Sequence, residues 1–183
     1  MANDAMTRPS GLVRVSLALA LLAAAPAASR ASPYANDEFS FAADLPEHYR
    51  ICTNEPHAPD RGFVLLLNGD DCTRTDDVPR ISLSLSYNAS LQHRTTLELA
   101  QHWCSPAPAT WSALRISGTR LMQCARPRLG SLEQRMFIGL RSQPRRWFGQ
   151  WTVVAIFVQC EPSAMPGCVA TVEKLIRNAR WRG

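Results

Sequence analysis

WTVVAIFVQC, residues 151–160, is the stretch on which the fold turns. Read as a strand, Val153, Ala155 and Phe157 point one way and Val154, Ile156 and Val158 the other, since successive side chains alternate across the pleat. Apolar side chains on both faces of a β-branched, aromatic decapeptide describe a central strand covered above and below. The turn EPSAMPG follows at once. After it Cys168, Val172, Leu175, Ile176 and Ala179 recur at helical spacing, which predicts a closing amphipathic helix.

The chain upstream reads as partners for that strand. Met136, Ile138 and Leu140 alternate with Arg135, Phe137 and Arg141, predicting a strand with one wet face. Residues 142–149, SQPRRWFG, read as a basic, aromatic hairpin tip leading into the central strand. Residues 111–116 and 119–125 look extended, and 126–130 look like a turn. Thr95 and Glu98 have the spacing of a capping box, so a helix starts there with Leu97, Ala100 and Cys104 on one side. Ile81, Leu83, Leu85 and Tyr87 alternate with Ser82, Ser84 and Ser86, a strand with its serines outward. FVLLL at 63–67 reads as an inner strand, a short strand precedes it at 49–52, and Asn68-Gly69 signals a turn. Phe39, Phe41, Ala43 and Leu45 make one more half-buried strand, ended by Pro46.

Short loops and hairpin turns between these elements imply an α+β fold, a mostly antiparallel sheet flanked by two or more helices. In element order the chain resembles the Mog1/PsbP-like α/β sandwich over about 140 residues. That resemblance implies an antiparallel sheet flanked by helices. It rests on no diagnostic motif, so it transfers no functional residue, and the six cysteines depart from the family's usual pattern.

Residues 1–31 read as a secretory signal peptide, leaving 32–183 as a single domain. Arg8 and Arg14 supply a positive start, and 15–25, VSLALALLAAA, is an apolar run of 11 residues, too short to span a bilayer. Small residues follow Pro26, with cleavage expected after Ala27 or Ala31. No later stretch approaches the length of a spanning helix, so no membrane insertion is expected after cleavage. The expected location is periplasmic or secreted. In that setting Cys52, Cys72, Cys104, Cys124, Cys160 and Cys168 read as a disulfide framework. Six thiols can pair in fifteen ways, and spacing alone does not choose among them. The pairing expected is sequential, and firmest for Cys160 and Cys168, between which two prolines and a glycine bend the chain.

Of 20 basic residues only Lys174 is not arginine, and the net charge is +5. Residues 37–98 hold 11 acids against 5 arginines, a balance of −6, whereas 99–183 hold 12 basic residues against 3 acids, a balance of +9. Such asymmetry can steer a charged partner. The plainer expectation is that the two halves share one sheet and their charges intermix.

Candidate chemistry is sparse. No C-x-x-C, paired-His spacing or H-E-x-x-H motif is present, so neither a metal nor another cofactor is expected. Asp70, Asp71, Asp76 and Asp77 crowd one loop without the alternation of a calcium loop, which reads as a solvated acidic loop. His57 and Asp60 lie together in a Pro-rich loop with no nucleophile motif beside them. The surface singled out for binding is Arg141, Arg145, Arg146, Trp147 and Phe148, because arginine beside aromatics is the composition of interface hot spots. An acidic protein or an anionic envelope component is the partner expected; nucleic acid is not. The leading expectation is an exported, non-enzymatic binding protein, one form being an inhibitor or immunity protein acting on a toxin or hydrolase. The alternatives are a small exported hydrolase using His57 and Asp60, and a structural envelope component.

Overall fold

A computed structural model describes residues 32–53, 61–69, 71–73, 78–87, 93–142 and 151–181. The leader, the Pro-rich loop at 54–60 and most of the basic tip, 143–150, lie outside these residues. In chain order the elements are β1 (Ser32–Asn36), β2 (Phe41–Leu45), β3 (Arg50–Cys52), β4 (Gly62–Leu66), β5 (Arg80–Tyr87), α1 (Thr96–Cys104), β6 (Thr110–Ile116), β7 (Thr119–Leu129), β8 (Leu132–Ser142), β9 (Trp151–Cys160), α2 (Met165–Arg177) and β10 (Arg180–Trp181). The fold is α+β.

β9 takes the middle place in a seven-stranded sheet of order β3-β4-β5-β9-β8-β7-β6, in which every neighbouring pair is antiparallel. Its two faces are both covered, by different material. Val154, Ile156 and Val158 join a large core with Met165, Val172 and Leu175 of α2 and with Phe41, Ala43 and Trp181. The last three belong to a second, three-stranded sheet, β1-β2-β10, lying on the same side as α2. On the opposite face Val153 packs with Ile138, Leu140 and Met122 beneath Leu99 and Ala100 of α1. Gln159, also buried, accepts a hydrogen bond from the Gln134 amide (2.8 Å) and donates to the Val78 carbonyl (3.2 Å), so its burial leaves the amide satisfied.

Three disulfides join Cys52–Cys72, Cys104–Cys124 and Cys160–Cys168, the sequential pairing. Each fixes a peripheral element to the sheet: the loop at Cys72, the end of α1, and the first turn of α2. Closing loops of 20, 20 and 8 residues stabilises the fold by roughly 2–3 kcal/mol each on a chain-entropy estimate. The clamp on α2 matters most locally, because its N-cap, Ala164, makes no side-chain cap.

α1 starts as its capping spacing requires. The Thr95 hydroxyl accepts from the Glu98 N–H (3.1 Å), and the Glu98 carboxylate accepts from the Arg94 N–H (2.7 Å), one residue ahead of the cap. The buried side is Leu99, Ala100 and Cys104, and Leu97 stands out in solvent. The expected inclusion of Leu97 is therefore corrected. Thr96 Oγ1 accepts from the Leu140 N–H and Cys104 is tied to β7, and these two anchors set the roll of the helix.

Three other expectations change. β8 has no wet face along its middle, because Met136, Phe137, Ile138, Gly139 and Leu140 are all buried. Next to the central strand, it is covered by α1 on one side and by the α2 core on the other. β7 does not turn at 126 but runs to Leu129 through an irregularity between Arg126 and Leu129, turning at Gly130, whose φ is +59°. The strand predicted around Phe41 belongs to the smaller sheet, since two-residue β10 pairs with it at Arg180–Ala42 and Trp181–Phe41.

Gly139 sits where β8 is squeezed between β7 and β9: a Cβ there would lie 2.5 Å from Leu121 Cδ2 and 3.3 Å from Val154 Cγ1. Gly139→Ala is expected to overpack the core and cost about 1–3 kcal/mol, read as a lower urea midpoint at unchanged m-value.

Candidate functional site

The three strands on one flank of β9, namely β6, β7 and β8, carry six arginines and one acid, Glu133. The opposite flank, β3 to β5, carries two arginines, Arg50 and Arg80, and no acid on its strands. The described acids are spread over other layers, with Asp44 on β2 of the small sheet and Glu98 on α1.

Each of the six arginines has a distinct environment. Arg126 donates to the Trp103 carbonyl (2.7 Å) and Arg128 pairs with Glu133 (2.8 Å), so both are spent within the fold. Arg120 donates from Nε to the Ser112 carbonyl (3.1 Å), which caps the edge strand at the irregularity in β6, and lies over the Trp111 ring at 5.0 Å. Arg141 lies over the Trp181 ring at 4.9 Å. Arg115 and Arg135 are exposed and have no partner among the described residues.

Arg115 and Arg120 are placed by a tight turn. Ser117 and Gly118 both have positive φ (44° and 87°), the backbone of a two-residue hairpin whose twist matches the strands. That turn sets Ile116 opposite Thr119 and Arg115 opposite Arg120. Trp111 faces Met122, so Trp111, Arg115 and Arg120 share the sheet face on which α1 packs. Trp111 is 46% exposed, a large apolar side chain on an edge strand. Like charges directly opposite on neighbouring strands are destabilising by up to about 1 kcal/mol, and an exposed cation–π contact returns about 0.5–1 kcal/mol. The pair is close to break-even in the isolated protein, and a carboxylate set between the two guanidiniums would make it favourable. Chemically the surface can hold an acidic group and stack against it.

The end of the sheet where the β6–β7 turn lies also receives Arg141, Arg180 and the entry to β9. Here Ser117 Oγ accepts from the Trp181 N–H (3.3 Å), tying the small sheet to the hairpin. Burial lowers the pKa of Arg141 by desolvation. Close by, Thr152 Oγ1 and Trp181 Nε1 are buried and find no hydrogen-bond partner among the described residues, at a cost of about 1–3 kcal/mol each.

Of the binding residues read from the sequence, the structure describes Arg141; Arg145, Arg146, Trp147 and Phe148 lie outside the described residues. Also outside are His57, Asp60, Asp70, Asp76 and Asp77. Asp71 closes a local turn, accepting from the Thr73 N–H (2.9 Å) and hydroxyl (2.6 Å). His102 stacks on His93 with ring centroids 4.7 Å apart. Two shallow clefts of about 300 and 140 Å³ run beside α2 on either side of the Tyr49–Thr171 hydrogen bond (3.3 Å). Among the described residues no three His, Cys, Asp or Glu side chains gather as a metal site. Trp111, Arg115 and Arg120 were not singled out from the sequence. The signal was present in Ser117-Gly118, a turn dipeptide that dictates which arginines face each other.

Solved structures give the fold. Cyanobacterial PsbP (CyanoP) from Synechocystis sp. PCC 6803 superposes with a TM-score of 0.50 at 10% identity, covering 86% of this chain and 97% of that one. LpqN, involved in cell envelope biogenesis of Mycobacterium tuberculosis, superposes with a TM-score of 0.52 at 13% identity, covering 84% and 86%. The Saccharomyces cerevisiae Ran-binding protein Mog1p gives 0.48 at 12% identity, covering 84% and 96%. The chain shares the fold of PsbP and LpqN. No family model matches its sequence, and no curated protein matches it significantly.

Arg115→Thr removes the like-charge pair and places a β-branched residue on an edge strand. It is expected to leave stability unchanged or raise it by about 0.5 kcal/mol, measured by chemical denaturation.

Proposed function

We propose that this is an exported binding protein that holds an acidic partner through the arginine-rich flank of its sheet. The observation that carries the reading is the Trp111–Arg115–Arg120 cluster: an exposed indole beneath one guanidinium and a second guanidinium directly opposite. Aromatic and arginine side chains dominate interface hot spots, and an Arg pair held close by a hairpin is preorganised for a carboxylate. Arg141, at the same end of the sheet but on its opposite face, and Arg145, Arg146, Trp147 and Phe148, which follow it in the sequence, are the further binding residues of this reading. The partner is an acidic protein or an anionic component of the envelope. In its narrower form the protein is an inhibitor or immunity protein acting on an exported toxin or hydrolase.

Export is supported by the leader read at 1–31 and by three disulfides with no free cysteine. An oxidising compartment keeps such clamps closed. The shared fold with LpqN, itself a protein of cell envelope biogenesis, accords with that setting.

Intact-mass measurement of the natural product is expected to show loss of 27 or 31 N-terminal residues, ending at Ala27 or Ala31, and six fewer hydrogens than the reduced chain. A retained leader or alkylatable thiols would refute export. Affinity capture from native envelope extract, with mass spectrometry of the bound material, tests the surface. Arg115→Glu with Arg120→Glu is expected to reduce capture by at least about tenfold, the loss of one charged hydrogen bond or more, with the thermal midpoint lowered only as far as loss of the Arg120–Ser112 hydrogen bond requires. Arg115→Glu alone is expected to reduce capture with the midpoint held. Undiminished capture by the double variant would overturn the assignment of the surface.

A further inference from the structure

Two buried polar atoms without partners among the described residues lie beside one arginine, at the end of the sheet already described. Thr152 and Arg141 are register partners on β9 and β8, and both face the side covered by α2 and the small sheet. Thr152 is fully buried, and its hydroxyl has no partner among the described residues. Its other cross-strand neighbour, Tyr87, gives its own hydroxyl to the Glu38 carbonyl (3.3 Å). Trp181, 8% exposed, lies over Arg141, and its indole N–H is likewise unpartnered. The indole is firmly held: its ring meets Phe41 edge-on at 5.1 Å, its backbone N–H is bonded to Ser117, and its strand pairs with β2. The Arg141 guanidinium itself makes no hydrogen bond among the described residues.

We propose that Arg141, Thr152 Oγ1 and Trp181 Nε1 form a subsite for a single carboxylate, that of an aspartate or glutamate side chain of the acidic partner. All three groups can donate, and buried donors without acceptors are disfavoured unless an acceptor arrives. The planar guanidinium fork matches a carboxylate, and the indole N–H and the threonine hydroxyl supply further donors to its remaining lone pairs. One cation among neutral donors balances one negative charge; a phosphate dianion would require a second. Desolvation of Arg141 agrees with this reading, since a guanidinium drawn from water gains most from an anion beside it. Binding requires the guanidinium to shift on the indole, exchanging a cation–π contact for charge-assisted hydrogen bonds, which are the stronger of the two.

The inference rests on the reading that this end of the sheet receives an acidic partner, but it is tested without that partner. Glutarate is titrated into the oxidised protein at constant ionic strength while the Trp181 indole N–H resonance is followed by NMR. A saturable downfield shift is expected, weakened about ten- to hundredfold in Arg141→Gln and about three- to tenfold in Thr152→Val. Thr152→Val should at the same time raise the thermal midpoint, because a methyl replaces a buried, unpartnered hydroxyl. A residue kept only for packing would not show weaker binding together with greater stability. Absence of a shift, or titrations unchanged in both variants, would overturn the subsite. Inorganic phosphate binding as tightly as glutarate would overturn its assignment to a carboxylate. A failed titration with envelope capture still dependent on Arg115 and Arg120 removes the subsite and leaves the surface; the reverse removes the surface alone.

Discussion

A central strand with two apolar faces cannot be satisfied by one layer, and that constraint organises the molecule. Val153 and Val154 are both buried, yet they point into different cores. One core needs α1. The other needs α2 together with the small sheet that carries Phe41 and Trp181. Because β9 is inserted between β5 and β8, the sheet is not a simple meander: β5 must wait for a strand more than sixty residues later in the chain. Such long-range pairing is entropically expensive to close, and the disulfides act on the covering layers. Cys104–Cys124 holds the layer over one face and Cys160–Cys168 the layer over the other.

β3 to β5 lie on one side of β9 and β6 to β8 on the other, while β1 and β2 belong to the smaller sheet. Strands β6 to β8, with six arginines against one acid, make one flank basic. Within that flank local geometry separates arginines that stabilise the fold from arginines that face outward. Arg126 and Arg128 have acceptors within hydrogen-bond reach, whereas Arg115 has none among the described residues and faces Arg120.

What could be read from the residues alone was whatever depends on neighbours in the chain. The alternation of Ile81, Leu83, Leu85 and Tyr87, the cap at Thr95, the stripe from Cys168 to Ile176 and the two-sided apolarity of 151–160 all rest on strand or helix periodicity, and the element order they imply is that of the fold observed. Which flank each strand joined, the roll that buried Leu99 in place of Leu97, the covering of both faces of β8, and the pairing of a two-residue β10 with β2 were decided by tertiary packing. These depend on contacts between residues distant in sequence, for which local periodicity has no signal. The site divides in the same way. The abundance of arginine is a property of composition, but Arg115 facing Arg120, Trp111 lying beneath it, and the Thr152 hydroxyl stranded beside Arg141 exist only because strands from separate parts of the chain were brought into register.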